Sequence, residues 1–562
     1  MKSIERIIEI LLQNRGIKTK KQKEEFFNPP NPEKLTAKDF GVDQNQLDKA
    51  VKRIKEAIRL KEKIIVYGDY DVDGISATAI LWETLDALGA RAMPYIPSRF
   101  TEGYGLSETG IKNLKLEIKD CKLLITVDNG ITAYEGLEFA KQQGLDVIIT
   151  DHHQPGGKTP GALAVIHTTQ ISGSAVAWIL ARELVYQCVG VLGTDTLVPQ
   201  HPSTPSDHLG LVALGTIADV LPLVDINRQL VVHGLEVLRT SSRLGIKTLC
   251  REAAVSQDTL DTYHIGFILG PHLNAAGRVD HAMESLRLLC VRDRERARVL
   301  AEKLCKSNRL RQEKTEAVVS HVTDNHLDPV WSDGNIPKLL YVYHASYEEG
   351  VIGIAAGRLV DKYHRPAVVL SIGDEYAKAS ARSISGVNIL ELLKKAGDGL
   401  FKSVGGHPMA AGFIVKTSDV ELLGQRLEEI SELEISDEVL KKNVRIDCEI
   451  NLPDATEALL GQIAKFAPFG FGNPEPAFET RGVNVLETRL LGKEKNHLKL
   501  VLSQDANTPT SQHPVFTAIG FRMGEWYANL SPDLPVNIVY AVEENVWNGN
   551  KSLQLKLKSI SI

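Results

Sequence analysis

The N-terminal half of the chain alternates short apolar runs with longer amphipathic segments. Residues 63–68, 123–127 and 147–150 are brief runs rich in β-branched residues, which predict buried strands. Apolar positions at helical spacing fill the intervals 74–88 and 133–142. Because strands and helices alternate at this spacing, the pattern predicts βαβ units and an α/β fold with a parallel sheet.

The pattern then changes along the chain. Residues 282–322 contain no Pro or Gly, which predicts long connecting helices, and a smaller α/β unit starts near Lys338. After about Leu440 short runs alternate apolar with polar positions, as in a small OB-like β-barrel, and the Pro-rich stretch 190–208 predicts a surface insertion. The expected divisions are a leader (1–45), a first α/β domain (46–281), connecting helices (282–330), a second α/β domain (331–435) and the barrel (436–562).

Composition narrows the class of protein. Hydrophobic residues make up 43% and charged residues 24% of the 562 residues, as in ordinary soluble proteins. The net charge of −6 argues against a basic nucleic-acid coat protein, although an enzyme with a local basic groove stays possible. The six cysteines form no C-x-x-C pair, and the most apolar long segment, 171–193, is interrupted by Arg182 and Glu183. We therefore expect a cytoplasmic protein without a zinc ribbon.

An acidic motif follows the first predicted strand. Asp69, Asp71 and Asp73 alternate within VYGDYDVDG, at the carboxyl end of the strand, where ligands bind in α/β sheets. Three carboxylates so close repel one another unless a cation neutralises them. An acidic surface turn is the alternative, whereas a calcium loop is excluded because the twelfth position from Asp69 is Ile80. We interpret the motif as a metal site.

Two further strand ends carry the same chemistry. Asp128 follows the second predicted strand, and Asp151, His152 and His153 follow the third. Asp219 comes after another apolar run. Taken singly, such an Asp is more often a turn residue, and such a His is more often structural. Together, however, these residues share one position: each directly follows an apolar run. Carboxylates with imidazole suit Mn²⁺ or Mg²⁺. Two such ions bridged by one carboxylate can bind both the attacking and the leaving oxygen of a phosphoryl transfer.

These motifs resemble a known family. GDYDVDG, VDNG, DHH and GTIADVLP are similar, in this order, to the four motifs of the DHH phosphoesterase superfamily, and within it to the RecJ type. The resemblance implies two Mn²⁺ or Mg²⁺ ions, with Asp128 as the bridge, and His153 beside the attacked phosphate or the nucleophilic water. Asp151 is expected to orient His152. The implied metal ligands are Asp69, Asp71, Asp73, Asp128, His152 and Asp219, and the implied catalytic residues are His153, Asp128 and Asp151.

The same resemblance implies a phosphate-binding region. The GGH sequence at 405–407 is by itself as typical of a turn, but in this context it matches the DHH-associated domain, which resembles a lid. A role around the 5′-terminal phosphate follows for Arg99, Ser380 and Arg382. His272 stands where the family pattern has Arg, just before the motif that contains Arg278. The full implied phosphate-binding set is Arg99, Arg278, Ser380, Arg382, Gly405, Gly406 and His407.

Aromatic and basic residues of the barrel leave two interpretations open. Phe469 and Phe471 lie among glycines, where they either stack on bases or pack a domain junction. A second set either follows a nucleic-acid backbone or, as alternating lysines, protects an edge strand; it consists of Lys493, Lys495, His497 and Lys499.

The resemblance implies a single-strand-specific 5′→3′ DNA exonuclease acting in repair and recombination. Single-stranded DNA is then the substrate, and a single-strand-binding protein and a RecQ-like helicase are the partners that the family suggests. A phosphodiesterase for small nucleotides is the main alternative, although such relatives resemble only the two α/β domains. A non-catalytic single-strand-binding scaffold is a second alternative, against which the retention of every motif acid argues.

Overall fold

The computed structural model describes most of the chain. The described residues are 3–99, 101–103, 105–117, 120–189, 204–279, 281–324, 336–504, 514–531, 535–547 and 550–562. Most of the predicted surface insertion at 190–208 and the end of the predicted connecting segment lie outside them. No helix in these ranges is long and apolar enough to cross a membrane.

The leader forms two helices that pack on the C-terminal part of the chain. They are α1 (Ile4–Asn14) and α2 (Lys20–Phe27), and each begins at a capping side chain, Ser3 and Thr19. The buried face of α1, with Ile7 and Leu11, belongs to the core of the barrel. A helix of this length is marginal alone, so the barrel supplies the surface that stabilises it.

The first α/β domain contains a five-stranded parallel sheet of order β2-β1-β3-β4-β5. The strands are β1 (Lys63–Tyr67), β2 (Arg91–Tyr95), β3 (Cys121–Val127), β4 (Asp146–Asp151) and β5 (Ala164–His167). Along β1 the side chains alternate between two cores: Ile64 and Val66 face one, and Ile65 and Tyr67 face the other. Because helices cover both faces of the sheet, the central strands β1, β3 and β4 are mainly apolar.

Among the described residues, ten α-helices of this domain surround the sheet or extend from it. They are α3 (Gln44–Arg59), α4 (Val72–Ala87), α5 (Glu108–Glu117), α6 (Tyr134–Gln142), α7 (Gly173–Val189), α8 (Pro205–Ala218), α9 (Asp225–Thr240), α10 (Leu244–Glu252), α11 (Gly270–Val279) and α12 (Met283–Cys290). A π-helical turn, His264–Leu269, leads directly into α11.

A long helix joins the two α/β domains. Helix α13 (Arg294–Val322) has 29 residues, which corresponds to a length of about 43 Å. Its N-terminal half contributes Leu300 and Leu304 to the first core, and its C-terminal half contributes Val318 and Val322 to the core of the second domain. One continuous helix therefore anchors both domains.

The second α/β domain is built on a mixed sheet of order β6-β7-β8-β10-β9. The strands are β6 (Leu340–His344), β7 (Ala367–Ile372), β8 (Tyr376–Arg382), β9 (Phe401–His407) and β10 (Ala410–Lys416). The helices are α14 (Ile352–Tyr363), α15 (Ile389–Ala396) and α16 (Val420–Glu434). Only β6 and β7 run parallel, so the smaller domain is not a second doubly wound sheet.

The C-terminal part is a closed five-stranded barrel. Its strands are β12 (Phe478–Leu491), β13 (His497–Ser503), β14 (Phe516–Gly520), β15 (Val536–Trp547) and β16 (Asn550–Ser561), preceded by β11 (Cys448–Glu449) and α17 (Glu457–Ala464). Pairing of β12 with β15 closes the order β12-β13-β14-β16-β15. The predicted α/β fold with an OB-like barrel is thus confirmed.

Candidate metal centre and phosphate-binding cleft

The predicted acids meet where the strand order of the first sheet reverses, between β1 and β3. Asp69 follows β1, Asp128 follows β3, and Asp151 ends β4. In open parallel sheets ligands bind in the crevice at this reversal, beyond the carboxyl ends of the strands. Asp219 differs, because it caps the C-terminus of the buried helix α8 and does not follow a strand.

His152 lies among three carboxylates. Its Nε2 is 3.1 Å from Asp128 Oδ1, 3.6 Å from Asp219 Oδ2 and 3.7 Å from Asp73 Oδ2. The backbone N–H groups of Gly173 and Ser174, at the start of α7, donate to Asp73 and fix its carboxylate. One grouping of oxygen and nitrogen ligands is therefore formed by Asp73, His152 and Asp219.

Asp128 joins this grouping to a second one. Oxygens of Asp69, Asp71 and Asp128 lie within 4.8 Å of one another. Asp128 has a φ of +63°, in the left-handed region that Asp tolerates better than most residues. Asp71 also caps α4 by accepting from the N–H of Gly74. The structure thus brings all six predicted ligands together, with Asp128 between the two groups.

Asp151 positions His153 and not His152. Its Oδ1 accepts from the His153 ring Nδ1 at 2.8 Å, whereas from His152 it receives only the backbone N–H. The N–H of Ile131 donates to the other oxygen. The expectation that Asp151 orients the ring of His152 is therefore wrong. A ring nitrogen of His153 lies within 4.8 Å of ligand atoms of Asp128 and His152, so this fixed ring faces the acidic cluster.

The electrostatics of the cluster favour a bound cation. Burial and the neighbouring carboxylates raise the pKa of Asp69 and Asp128 well above the ordinary range, and they raise the pKa of Asp219 to about 8. Asp69 Oδ1 and Asp128 Oδ1 are buried without a hydrogen-bond donor among the described residues. Such oxygens are costly to bury unless another partner neutralises them. Carboxylate oxygens with one imidazole fit Mn²⁺ or Mg²⁺.

A cluster of arginines lies beside the acids. The Arg99 guanidinium lies 5.3 Å from the centre of the Tyr70 ring, and burial, with Arg99, Arg311 and Arg382 nearby, lowers the pKa of Arg278 to about 10. Within the described residues, none of these four arginines has a carboxylate within ion-pair distance. Arg311, on α13, has a buried Nε without a partner in the same ranges. Unneutralised arginines that face one another are suited to an anion such as phosphate.

The second domain supplies part of this cluster. Arg382 donates to Ser380 Oγ at 3.0 Å, and a Cβ at Gly353 would lie 2.9 Å from that oxygen. In the β8-β10-β9 ladder, Ser380 stands in one row with Gly405 and Arg382 in one row with His407, so these side chains share a face. Each row crosses three strands, and its two inter-strand spacings together span about 10 Å. Gly405, Gly406 and His407 are themselves exposed, at the edge strand.

Two polar residues near the cluster, Asn274 and His272, have contacts that the sequence motifs did not predict. Asn274 accepts from the N–H of Val72, which holds the backbone between Asp71 and Asp73. His272, at the position where the family pattern has Arg, donates from Nδ1 to the Ile268 carbonyl and accepts from Asn308 through Nε2. It therefore links α11 to α13 as a neutral imidazole.

The structure separates the two phenylalanines of the barrel loop. The Phe469 ring is half-buried against the barrel core, and its carbonyl accepts from Thr262, so it packs a junction. The Phe471 side chain is exposed. Lys499 lies in β13, which pairs on both sides, so it does not protect a sheet edge.

Family profiles match three parts of the chain. The profile of the DHH family N-terminal domain matches residues 63–216, that of the DHHA1 domain residues 337–433, and that of the RecJ OB domain residues 446–559. These matches correspond to the two α/β domains and the barrel.

Whole-chain similarity extends over all the domains. The chain is 36% identical to the single-stranded-DNA-specific exonuclease RecJ of Bacillus subtilis over 92% of this chain, and it spans 63% of that protein's length. It is 32% identical to the protein of the same description from Haemophilus influenzae, over 93% of this chain and 90% of the relative. The crystal structure of RecJ from Thermus thermophilus in complex with Mn²⁺ superposes with a TM-score of 0.80 at 27% identity, over 100% of this chain and 78% of that one. The chain belongs to the family of the single-stranded-DNA-specific exonuclease RecJ.

Proposed function

We propose that this chain is a single-strand-specific DNA exonuclease that hydrolyses phosphodiester bonds from the 5′ end. One observation carries the proposal: a cluster of buried acids and His152 lies directly beside arginines that have no carboxylate partner in the described ranges. The first group suits divalent cations and the second suits a terminal phosphate. The names of its relatives support single-stranded DNA as the substrate.

Asp69, Asp71, Asp73, Asp128, His152 and Asp219 would hold two Mn²⁺ or Mg²⁺ ions. When bound, such ions supply Lewis-acid activation of water and neutralise charge on the phosphate. The chain fixes the geometry of these ligands: the start of α7 holds Asp73, and Asn274 holds the turn between Asp71 and Asp73. Preorganised ligands need no rearrangement during the reaction.

His153 and the arginines would act on the substrate directly. Asp151 fixes the His153 ring, so that it can donate a hydrogen bond to a phosphate oxygen beside the cluster. Arg99, Arg278 and Arg382, with Ser380, would hold the terminal 5′-phosphate. This contact defines which end of the strand is accepted. Gly405, Gly406 and His407 would contact the strand from the edge of the second domain.

A phosphodiesterase for small nucleotides is the second candidate, since the two α/β domains alone would serve that reaction. The closed barrel favours a polymer, because an OB-type barrel is a common platform for single strands. A role in DNA repair and recombination, with a single-strand-binding protein and a helicase as partners, is part of the same proposal.

The deciding experiment uses oligonucleotides labelled at the 5′ or the 3′ end, single- or double-stranded, with Mn²⁺ or Mg²⁺. We expect mononucleotides to be released from the 5′ ends of single strands only. Asp128→Ala is the control that removes the shared ligand. Release from 3′ ends, digestion of double strands, a preference for dinucleotides or full activity of Asp128→Ala would each contradict the proposal.

A further inference from the structure

A groove with exposed aromatic side chains lies between the first domain and the barrel. We call it the aromatic groove and define it by Val220, Tyr263, Phe267 and Phe471. Its volume is about 760 Å³, and Leu221, Gly470 and Lys556 also line it. The four defining side chains are 65%, 60%, 72% and 63% exposed, in that order. Large apolar side chains this exposed and this close together mark a binding surface.

The aromatic pair in the groove is arranged by an irregular helix. Tyr263 and Phe267 are four residues apart, and their rings stack with centroids 5.2 Å apart and an interplanar angle of 26°. Phe267 lies in the π-helical turn His264–Leu269. Such turns are rare and occur frequently at functional sites.

The groove begins at the metal centre. Val220 directly follows Asp219 and has a φ of +57°, a strained conformation for a β-branched residue. Strain of this kind persists where the surrounding structure imposes it. Two hydrogen bonds fix the barrel loop against this segment: Leu223 N–H donates to the Phe471 carbonyl, and Thr262 donates to the Phe469 carbonyl. The groove is therefore a rigid extension of the Asp219 side of the cluster.

The arginine cluster lies on the other side of the acids. Arg99 stacks over Tyr70, between Asp69 and Asp71 in the chain, and Gly277 lies against the Tyr70 backbone, which places Arg278 there too. A strand whose terminal phosphate contacts these arginines and crosses the acids would continue at Asp219. The acids on the groove rim already have partners, since Asp261 contacts His264 and Glu475 lies near Lys558, so the rim does not present unpaired negative charge to a polyanion.

We infer that the aromatic groove is a stacking surface for the bases that follow the scissile phosphate on its 3′ side. The inference rests on the proposed function and adds the site that holds the bases. Stacking on aromatic rings tolerates every base but requires unpaired ones, because paired bases present only their edges. The groove would therefore contribute to single-strand specificity as well as to affinity.

The test measures binding of 5′-phosphorylated single strands by fluorescence anisotropy, with EDTA present so that no cleavage occurs. A series of oligonucleotides carries one abasic position, moved stepwise from the 5′ end. For the wild-type protein we expect weaker binding, about 10-fold, when the abasic position enters the groove. Phe267→Ala and Tyr263→Ala should each weaken binding of the intact strand by a similar factor. Binding by these variants should no longer depend on the abasic position. Phe267→Trp keeps an aromatic ring, so it should retain both the affinity for the intact strand and the dependence on the abasic position.

Tyr186→Ala, which removes an aromatic side chain that is 55% exposed on α7, is the matched control and should change neither affinity nor the abasic profile. Two results would overturn the inference: unchanged affinity of the groove variants for the intact strand, or a loss of affinity from the abasic position that is as large in the groove variants as in the wild type. Either result would leave the groove as a surface for a protein. Wild-type digestion of labelled single strands is measured in parallel. If that digestion fails, the proposed function fails, whereas an active enzyme with unaltered groove variants contradicts the stacking surface alone.

Discussion

Buried carboxylates of two kinds stand side by side in the centre. Asp151 is buried, yet the ring of His153 and backbone N–H groups donate to it, and these contacts lower its pKa despite the burial. Asp128 is equally buried and carries an oxygen without a donor in the described ranges, and burial with its acidic neighbours raises its pKa. The first kind positions a neighbour, whereas the second kind needs a cation.

Replacing Asp151 with Asn should disturb the His153 ring. Both Asp151 oxygens accept hydrogen bonds, so an amide would turn an NH₂ group towards a donor on one side. We expect Mn²⁺-dependent hydrolysis of single strands to fall about 10- to 100-fold. The control is Asp146→Asn, at the other end of β4, which should keep the rate within twofold of the wild type. A rate for Asp151→Asn that is also within twofold would show that the contact with His153 has no role in the reaction.

Replacing Asp128 with Asn should separate stability from metal binding. The change removes a carboxyl whose charged form is disfavoured by burial and by its acidic neighbours, so thermal unfolding at neutral pH without divalent ions should occur at a higher temperature than in the wild type. Mn²⁺ at 100 times its dissociation constant should stabilise the wild type by about 2.7 kcal/mol and the variant far less. Thermal melts with and without Mn²⁺ measure both effects, and equal stabilisation of the two proteins would contradict the assignment of Asp128 as a ligand.

At this scale the motifs predicted which residues meet but not every contact between them. The alternating acids of VYGDYDVDG could be located because a strand end and a helix start force them together. The motifs could not predict that Asp151 contacts the ring of His153, because this contact depends on how the turn after β4 directs two adjacent histidines. Arg311 gave no signal, since an arginine on a long charged helix is ordinary until the fold brings Arg278 beside it.

Among the elements, buried central strands were predictable and edge strands were not. The strands β1, β3 and β4 are apolar runs covered on both faces, whereas β2 contains Arg91 and Pro94 and lies at the sheet edge. Helix α8 is apolar nearly all round, and for that reason the run before Asp219 resembled the strands. Tertiary burial, not local preference, decides both cases.

A buried ion pair connects α4 to the start of α10. Arg243 contacts Glu83 with both terminal nitrogens, and His208 lies 3.0 Å from the same carboxylate. Arg243→Met would leave Glu83 buried without its main partner and should lower the free energy of unfolding by about 3–5 kcal/mol, measured by urea denaturation. Arg292→Met, which removes an exposed pair with Asp86, should cost at most about 1 kcal/mol. Similar losses in both variants would contradict this account.

The same pair predicts a pH dependence. Burial alone would raise the pKa of Glu83 above its ordinary value of 4.5. The contacts with Arg243 and His208 outweigh this effect and lower the pKa to about 2. A lowered pKa in the folded state stabilises the fold above pH 4.5, and this contribution is lost as the pH falls towards 2. The stability difference between the wild type and Glu83→Gln should therefore shrink over this interval in urea titrations, and a constant difference would exclude the linkage.

For the whole molecule, the net charge of −6 conceals a local separation of charge. Acids concentrate at the reversal of the first sheet, and four arginines face one another beside them. The parallel sheet and the C-terminal barrel were predictable from the pattern along the chain. The packing of the leader on the barrel did not, because a short amphipathic helix does not encode which surface covers it.

Arg228 joins the leader, the first domain and the barrel. From α9 its guanidinium donates to the carbonyls of Phe26, Phe466 and Ala467, and it lies 4.0 Å from the centre of the Phe26 ring. A planar guanidinium can reach these carbonyls together, whereas the ammonium of Lys cannot. The side chain therefore holds the barrel at a fixed position relative to the metal centre.

Loosening this junction should reduce the advantage of long substrates. If the barrel acts as a second binding site, its benefit depends on a fixed distance from the first, so Arg228→Ala should lower kcat/KM for a 30-mer single strand by about tenfold or more. Hydrolysis of a dinucleotide needs no barrel and should stay within about twofold of the wild type. For the 30-mer, the kcat/KM of Arg228→Lys should lie between the values of the wild type and Arg228→Ala. The control is Arg251→Ala, which changes an exposed arginine on α10 and should match the wild type with both substrates. Equal losses for the dinucleotide and the 30-mer would instead mean that Arg228 supports the fold of the metal centre itself.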